Sequence, residues 1–129
     1  MSILDHIGFA VSDLARSRAF YEEALAPLGV TVLMEVTAEQ TGGDAHCGFG
    51  RDRPQFWIGT GRPLQGVLHV AFMAPSRAVV KAFHQAALAA GGRDNGKPGL
   101  RPHYHENYYG AFVLDLDGHN IEVVCHLPE

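Results

Sequence analysis

Eight histidines stand among the 129 residues, and two of them open segments that read alike: His6 begins HIGFA and His69 begins HVAFM. A third residue of interest, Glu122, lies inside the apolar run IEVVC. Successive strand side chains point to opposite faces. His6 then shares a face with Gly8 and Ala10, and His69 with Ala71 and Met73, while Ile7, Phe9, Val70 and Phe72 take the other side. Glu122, with Val124 and His126, faces away from Ile121, Val123 and Cys125. A carboxylate in such a strand requires a charged partner, a proton or a cation, because an unpaired buried charge is costly. Two neutral imidazoles and one carboxylate converging on one point form a metal site with open positions, suited to Fe(II) and also to Zn²⁺, Mn²⁺ or Ni²⁺. His6, His69 and Glu122 are the candidate ligands.

The elements that must position them come from a duplication. Segments 6–29 and 69–92 align without a gap and are identical at nine of 24 positions, including His6/His69, Phe9/Phe72, Phe20/Phe83 and Gly29/Gly92. Each copy reads as a strand and then a helix. Ser12 is the expected N-cap of the first helix, with Asp13 in its first turn, and Ser76 caps the second. Leu14, Phe20, Leu25 and Leu28 face a core, and Pro27-Leu28-Gly29 ends the first helix; Gly91-Gly92 stops the second. Extended pieces follow at Val30–Val36, His46–Gly50 and Gln55–Gly59, then, in the second copy, at Tyr109–Leu114 and His119–His126. Asp115-Leu116-Asp117-Gly118 has the composition of a tight hairpin turn. GTGRPLQG (59–66) links the two halves. The order is β-α-β-β-β twice, with no clear third strand in the Gly/Pro/Asn-rich stretch after the second helix. We expect one domain, 1–129, of two modules (1–60 and 66–129).

Composition removes several classes of function. Residues of apolar type make up 47% and charged ones 19%, ordinary for a folded domain. Ten basic against 14 acidic side chains give a net charge of −4, so no nucleic-acid or anionic-lipid partner is expected. No apolar run reaches a membrane span, the N-terminus MSILDHIGFA does not resemble a signal peptide, and a cytoplasmic location is expected. Cys47 and Cys125 are expected as reduced, inert thiols.

The paired modules, the opening DHIGFAVSDLARSRAFY, the internal LHVAF and the ending FVLDLDGHNIEVVCH resemble the vicinal oxygen chelate superfamily, which includes glyoxalase I, type I extradiol dioxygenases, fosfomycin-resistance thiol transferases and bleomycin-resistance proteins. The D-x-D-G-x-x-I-E ending is the most specific element, and the resemblance covers nearly the whole chain. It implies an α+β fold of two paired βαβββ modules forming a cupped mixed sheet with helices on the outer face, around a divalent ion held by the first and last strands of each module. Carried across by position, it makes His6, His69 and Glu122 the ligands. It puts Trp57 at the fourth position, where no ligating atom is present, with Gln55 one step along the same face.

These departures separate the branches. Glyoxalase I typically places a carboxylate at the fourth position, so Trp57 argues against glutathione-dependent glyoxalase activity. The extradiol motif has Tyr where this chain has Phe112, and Asp-Pro where it has Asp-Leu. Only seven residues, none basic, follow Glu122, so the phosphonate-gripping Arg of the fosfomycin branch has no counterpart; Gly8 stands where that branch tends to have a hydroxyl residue. The loop HYHENYY supplies His103, His105 and Tyr109 as candidate general acids or bases, and Tyr108 joins Gln55 and Trp57 as candidate pocket wall. We expect a metal-dependent, glyoxalase-like lyase or isomerase, a homodimer by analogy, acting on a small oxygen-rich substrate chelated to Zn, Fe, Mn or Ni. The alternatives are dioxygenase or thiol-transferase chemistry on the same site, or a metal-free ligand-sequestering protein like those of bleomycin resistance.

Overall fold

The computed structural model describes residues 2–129. The first module runs β1 (Ile7–Ala10), α1 (Leu14–Leu25), a 3₁₀ turn (Ala26–Leu28), β2 (Thr31–Val36), a one-turn α2 (Ala38–Thr41), β3 (His46–Gly50) and β4 (Phe56–Gly59). The second runs β5 (His69–Met73), α3 (Arg77–Ala89), β6 (Arg93–Leu100), β7 (Tyr109–Leu114) and β8 (Asn120–Cys125). The strands form two four-stranded mixed sheets, ordered β1-β4-β3-β2 and β5-β8-β7-β6. In each, the module's first strand runs parallel to its last, and the other pairings are antiparallel. The fold is therefore α+β and built of two βαβββ units, as expected.

The strand that the sequence hid is β6, RDNGKPGL. Its Gly and Pro content masks it, and its pairing with β7 shifts register between Asp94 and Gly96 and again between Gly96 and Gly99. Such irregularity places glycine and proline in an edge strand at little cost.

Helix α1 buries Phe20, Tyr21, Ala24 and Leu25, and α3 buries Val80, Phe83 and Ala87, each set recurring at helical spacing. The two helices lie against each other. The apolar faces of both sheets, with Phe49, Phe56, Ile58, Val113, Ile121 and Val123, join them in one continuous core. Gly29, with φ 74°, ends the first helical segment in the left-handed conformation that only glycine adopts easily. Ser76 caps α3 by accepting from the Val79 N–H. Ser12 does not cap α1; Asp13 does, accepting from the Arg16 N–H. A carboxylate at the cap both accepts and opposes the helix dipole, and Ser12 is engaged elsewhere.

That engagement joins the modules. The Tyr21 hydroxyl donates to Asp115 Oδ2, while Asp115 Oδ1 accepts from the N–H groups of Asp117 (3.0 Å) and His119 (2.9 Å). Asp117 accepts from the Ser12 N–H at 3.2 Å and from its hydroxyl. His119, also buried, accepts at Nδ1 from the Leu68 N–H (3.2 Å) and sets its ring edge-on to Phe9 (5.4 Å). Asp115-Leu116-Asp117-Gly118 is thus a tight turn, closed by Gly118 N–H to Asp115 C=O at 3.0 Å, and also a tie between halves.

Burial, and then the nearby Asp115 carboxylate, push the Tyr21 hydroxyl well above the ordinary tyrosine range. The folded state keeps a proton that the unfolded chain releases near about pH 10. This contribution is complete below that pH and is lost as pH rises toward the folded value. Tyr21→Phe leaves a buried carboxylate oxygen without its donor and is expected to cost about 1–3 kcal/mol in urea denaturation at neutral pH. The variant should also lose less stability than the native protein between about pH 9 and 11; parallel pH curves would contradict this account.

Candidate functional site

Glu122 sits in the middle of β8, in register with Ala71 on β5 and Phe112 on β7, and is 1% exposed. Its carboxylate points away from the core, where Ile121 and Val123 point inward. His69, at the start of β5, brings Nε2 to 2.9 Å from Glu122 Oε1. The Tyr108 hydroxyl donates to Oε2. Gly110 makes room for this contact: a Cβ there would stand 3.3 Å from both Glu122 Oε2 and the Tyr108 ring. Burial first, then the Glu122 hydrogen bond and charge, raise the Tyr108 hydroxyl far above its ordinary value, so it serves as a donor at all ordinary pH. His69 remains half open, with 52% of its side chain exposed.

Of the loop candidates, His105 stands beside Tyr108, with rings edge to face at 5.4 Å. Its Nδ1 accepts from the Asn107 N–H (3.1 Å), so in the neutral ring Nε2 carries the hydrogen and donates to His126 Nδ1 at 2.7 Å. His103 is exposed and packs its ring, tilted, against Tyr104. Tyr109 is not part of the site. It pairs opposite Cys125, shares the core face with Ala111 and Val113, and lies under the Arg77 guanidinium at 5.1 Å. Strand alternation that turns Tyr108 toward Glu122 must turn Tyr109 away.

The first module offers a cavity of about 850 Å³ on its open face, lined by His6, Gly8, Val36, His46, Arg53 and Trp57 among others. Trp57 pairs with Gly8 as Glu122 pairs with Ala71, so the two last strands do present equivalent positions. Gln55 does not share this cavity. It precedes β4, where its backbone bonds Ile7 and Phe49, and it lines a separate groove of about 470 Å³ along β5. His6 and His69 both border that groove. His6 donates its Nδ1–H to Asp5 Oδ1 (2.7 Å), and Asp5 is also paired with Arg53. The His6 contact and Arg53 hold the Asp5 carboxyl below its usual range. His46, Asp5 and Arg53 border the site without having been expected there; His46 had a readable signal, since the parity of HCGFG puts it on the Gly48 face.

The structure thus assembles His69, Glu122 and Tyr108, and does not bring His6 to them. Strands β1 and β5 are edges of different sheets and exchange no ladder hydrogen bonds. Among the described residues, no group of three or more His, Cys, Asp or Glu side chains is placed to hold a metal ion. The pair that does meet, an imidazole nitrogen and a carboxylate oxygen taken out of water, has the donor chemistry of a borderline divalent cation and supplies part of a coordination sphere. Cys47 and Cys125 are free and buried, and burial raises the Cys47 thiol. No helix among the described residues is long and apolar enough to cross a membrane.

The family model described as the Glyoxalase/Bleomycin resistance protein/Dioxygenase superfamily matches residues 3–123. No curated protein matches. Among solved structures, a glyoxalase/bleomycin resistance protein from Albidiferax ferrireducens T118 is 25% identical, with 98% of this chain and 100% of that one covered and a TM-score of 0.78. A single-site mutant of the fosfomycin resistance protein FosX from Listeria monocytogenes, complexed with Mn(II) and 1S,2S-dihydroxypropylphosphonic acid, is 22% identical over 98% of this chain and 94% of that one, TM-score 0.69. A single-site mutant of glyoxalase I from Zea mays is 19% identical over 94% of this chain and 43% of that one, TM-score 0.70.

Tyr108→Phe removes one of the two donors to a buried carboxylate. It is expected to lower stability of metal-free protein by about 1–3 kcal/mol in denaturant titration. No loss would mean that Glu122 is satisfied by water instead.

Proposed function

The chain belongs to the Glyoxalase/Bleomycin resistance protein/Dioxygenase superfamily, and from that premise we propose a metal-dependent, glyoxalase-like enzyme of lyase or isomerase type acting on a small oxygen-rich substrate. The observation that carries this reading is the buried Glu122 carboxylate with His69 Nε2 at 2.9 Å on a strand face free of helices. His69 and Glu122 would hold the ion, with His6 of a second copy as third ligand in a homodimer. A bound divalent ion there would supply Lewis acidity toward a vicinal pair of substrate oxygens.

The chain's own residues supply the rest. Tyr108 fixes Glu122 Oε2, so Oε1 is the atom left to ligate or to take a proton. The His105–His126 pair, beside Tyr108, has a tautomer set by the Asn107 N–H and supports proton uptake at the edge of the site. Trp57, at the fourth ligand position, excludes a second carboxylate. This supports a reading apart from glutathione-dependent glyoxalase activity, with lyase or isomerase chemistry first and dioxygenase or thiol-transfer chemistry as its alternatives.

A second reading, a metal-free sequestering protein, is favoured by two observations: His69 is already hydrogen-bonded within the chain, and the cavity beside Trp57 is wide. Elemental analysis of protein purified without chelator separates the two. The enzyme reading expects one divalent ion per chain, lost in both His6→Ala and His69→Ala with circular dichroism unchanged. Mixing these two variants should restore metal binding at one site per heterodimer, because one site then contains both substitutions and the other neither. Absence of stoichiometric metal and of rebinding would leave the sequestering role; loss without rescue on mixing would place the whole site in one chain.

A further inference from the structure

The open face of the first module carries two adjacent cross-strand rows in which flat rings lie beside glycine. One row is Gly8, Trp57, Gly48 and Met34; the next is Ala10, Gly59, His46 and Val36. A Cβ added at Gly48 would stand 2.9 Å from Cε2 and Cη2 of Trp57 and 2.8 Å from the Pro54 Cβ, so the indole lies flat across β3. A Cβ at Gly59 would collide with His46 Nδ1, so the second ring also lies down on glycine backbone. Glycine weakens a strand unless something approaches its backbone closely. Here two rings do. On the other side of the indole, Gly8 and Ala10 leave the floor low, next to His6. The charges at this cavity, Arg53 and Asp5, are paired with each other (3.3 Å) and call for no ionic body in the ligand.

We propose that Trp57 is a specificity-determining residue and that the substrate carries a flat aromatic body, laid along the indole and over the Gly8 floor, behind its pair of oxygens. The inference deepens the reading above and rests on it only for where the oxygens bind. An indole wall beside a bare backbone floor rewards a planar apolar group through offset or edge-on ring packing as well as burial. A methyl group in the same place covers little of the indole and leaves its face to water.

Mandelate and lactate present the same hydroxyl and carboxylate and differ in phenyl against methyl, so they isolate the body from the chelating head. Trp57 is the only tryptophan, and its emission therefore reports this cavity alone. Titration of the full-length protein, with and without added Mn²⁺, should show saturable change with mandelate at an affinity roughly tenfold or more above that for lactate. Calorimetry on Trp57→Ala, and on Trp57→Leu, which keeps apolar bulk without a ring, should bring the two acids together while Mn²⁺ stoichiometry stays as in the native protein. Equal affinity for both acids, binding of neither, or a preference that survives in both variants would overturn the inference. Preference for mandelate without any metal binding would sustain it and remove the metal reading; metal binding without preference would do the reverse.

Discussion

Asp115 is 4% exposed, and a carboxylate cannot be taken that far from water unless donors meet it. Two of its donors are backbone N–H groups of its own turn, which any tight turn could offer; the third is the hydroxyl of Tyr21, on the helix of the other module. The turn is thereby fixed against α1, and Asp117 with Ser12 adds a second attachment one side chain away. Because β7 and β8 leave this turn in opposite directions, their placement follows from it, and so does that of Glu122 five residues beyond Asp117. The D-x-D-G motif works across modules as much as within the hairpin. It also holds the helical faces together, with α1 on α3 in one shared core.

Glu122 poses the same problem with a different solution. Its two oxygens meet one imidazole nitrogen and one phenol, so the folded chain does not need a cation to keep this carboxylate buried. A cation arriving there would compete with an existing hydrogen bond and would not fill a void. Two ligands offset that loss less well than three. Affinity then depends on whether a third donor such as His6 can reach the pair. The half-open edge of His69 leaves that approach sterically possible.

Much of this arrangement was legible because it rests on period. Strand alternation separated Glu122 from Ile121 and Val123, and the gap-free repeat placed His6 and His69 equivalently. The equivalence of Trp57 and Glu122 is visible in the matching registers, Gly8 with one and Ala71 with the other. Features that depend on a distant partner were not legible. Ser12 looks like a cap and is drawn off by Asp117, more than a hundred residues away, leaving Asp13 to cap. Tyr109 was misassigned for another reason: the strand expected at Tyr109–Leu114 already set it on the face of Ala111 and Val113, and its polar aromatic neighbours in sequence outweighed that parity. Gln55 fails to continue the face of Trp57 because β4 starts after it. β6 is disguised by glycines and a proline that two register shifts accommodate. Whether His6 meets His69 is a question about faces of two sheets, and no local pattern encodes it.

The equivalent positions also show how a duplicated unit divides labour. Both modules run their last strand parallel to their first and aim its central side chain at the open face. In the second module that side chain is a carboxylate, backed by a phenol and an imidazole; in the first it is an indole resting on glycine. A second carboxylate at Trp57 would have added charge where Asp5 already stands and would have required its own donors. The indole requires none for its apolar surface, and the glycines let it lie flat. One face therefore carries charge and hydrogen-bonding groups, and the other carries shape. A ligand that used both would have to lie where a first-module face and a second-module face meet, so the placement of the two open faces relative to each other would set what could bind.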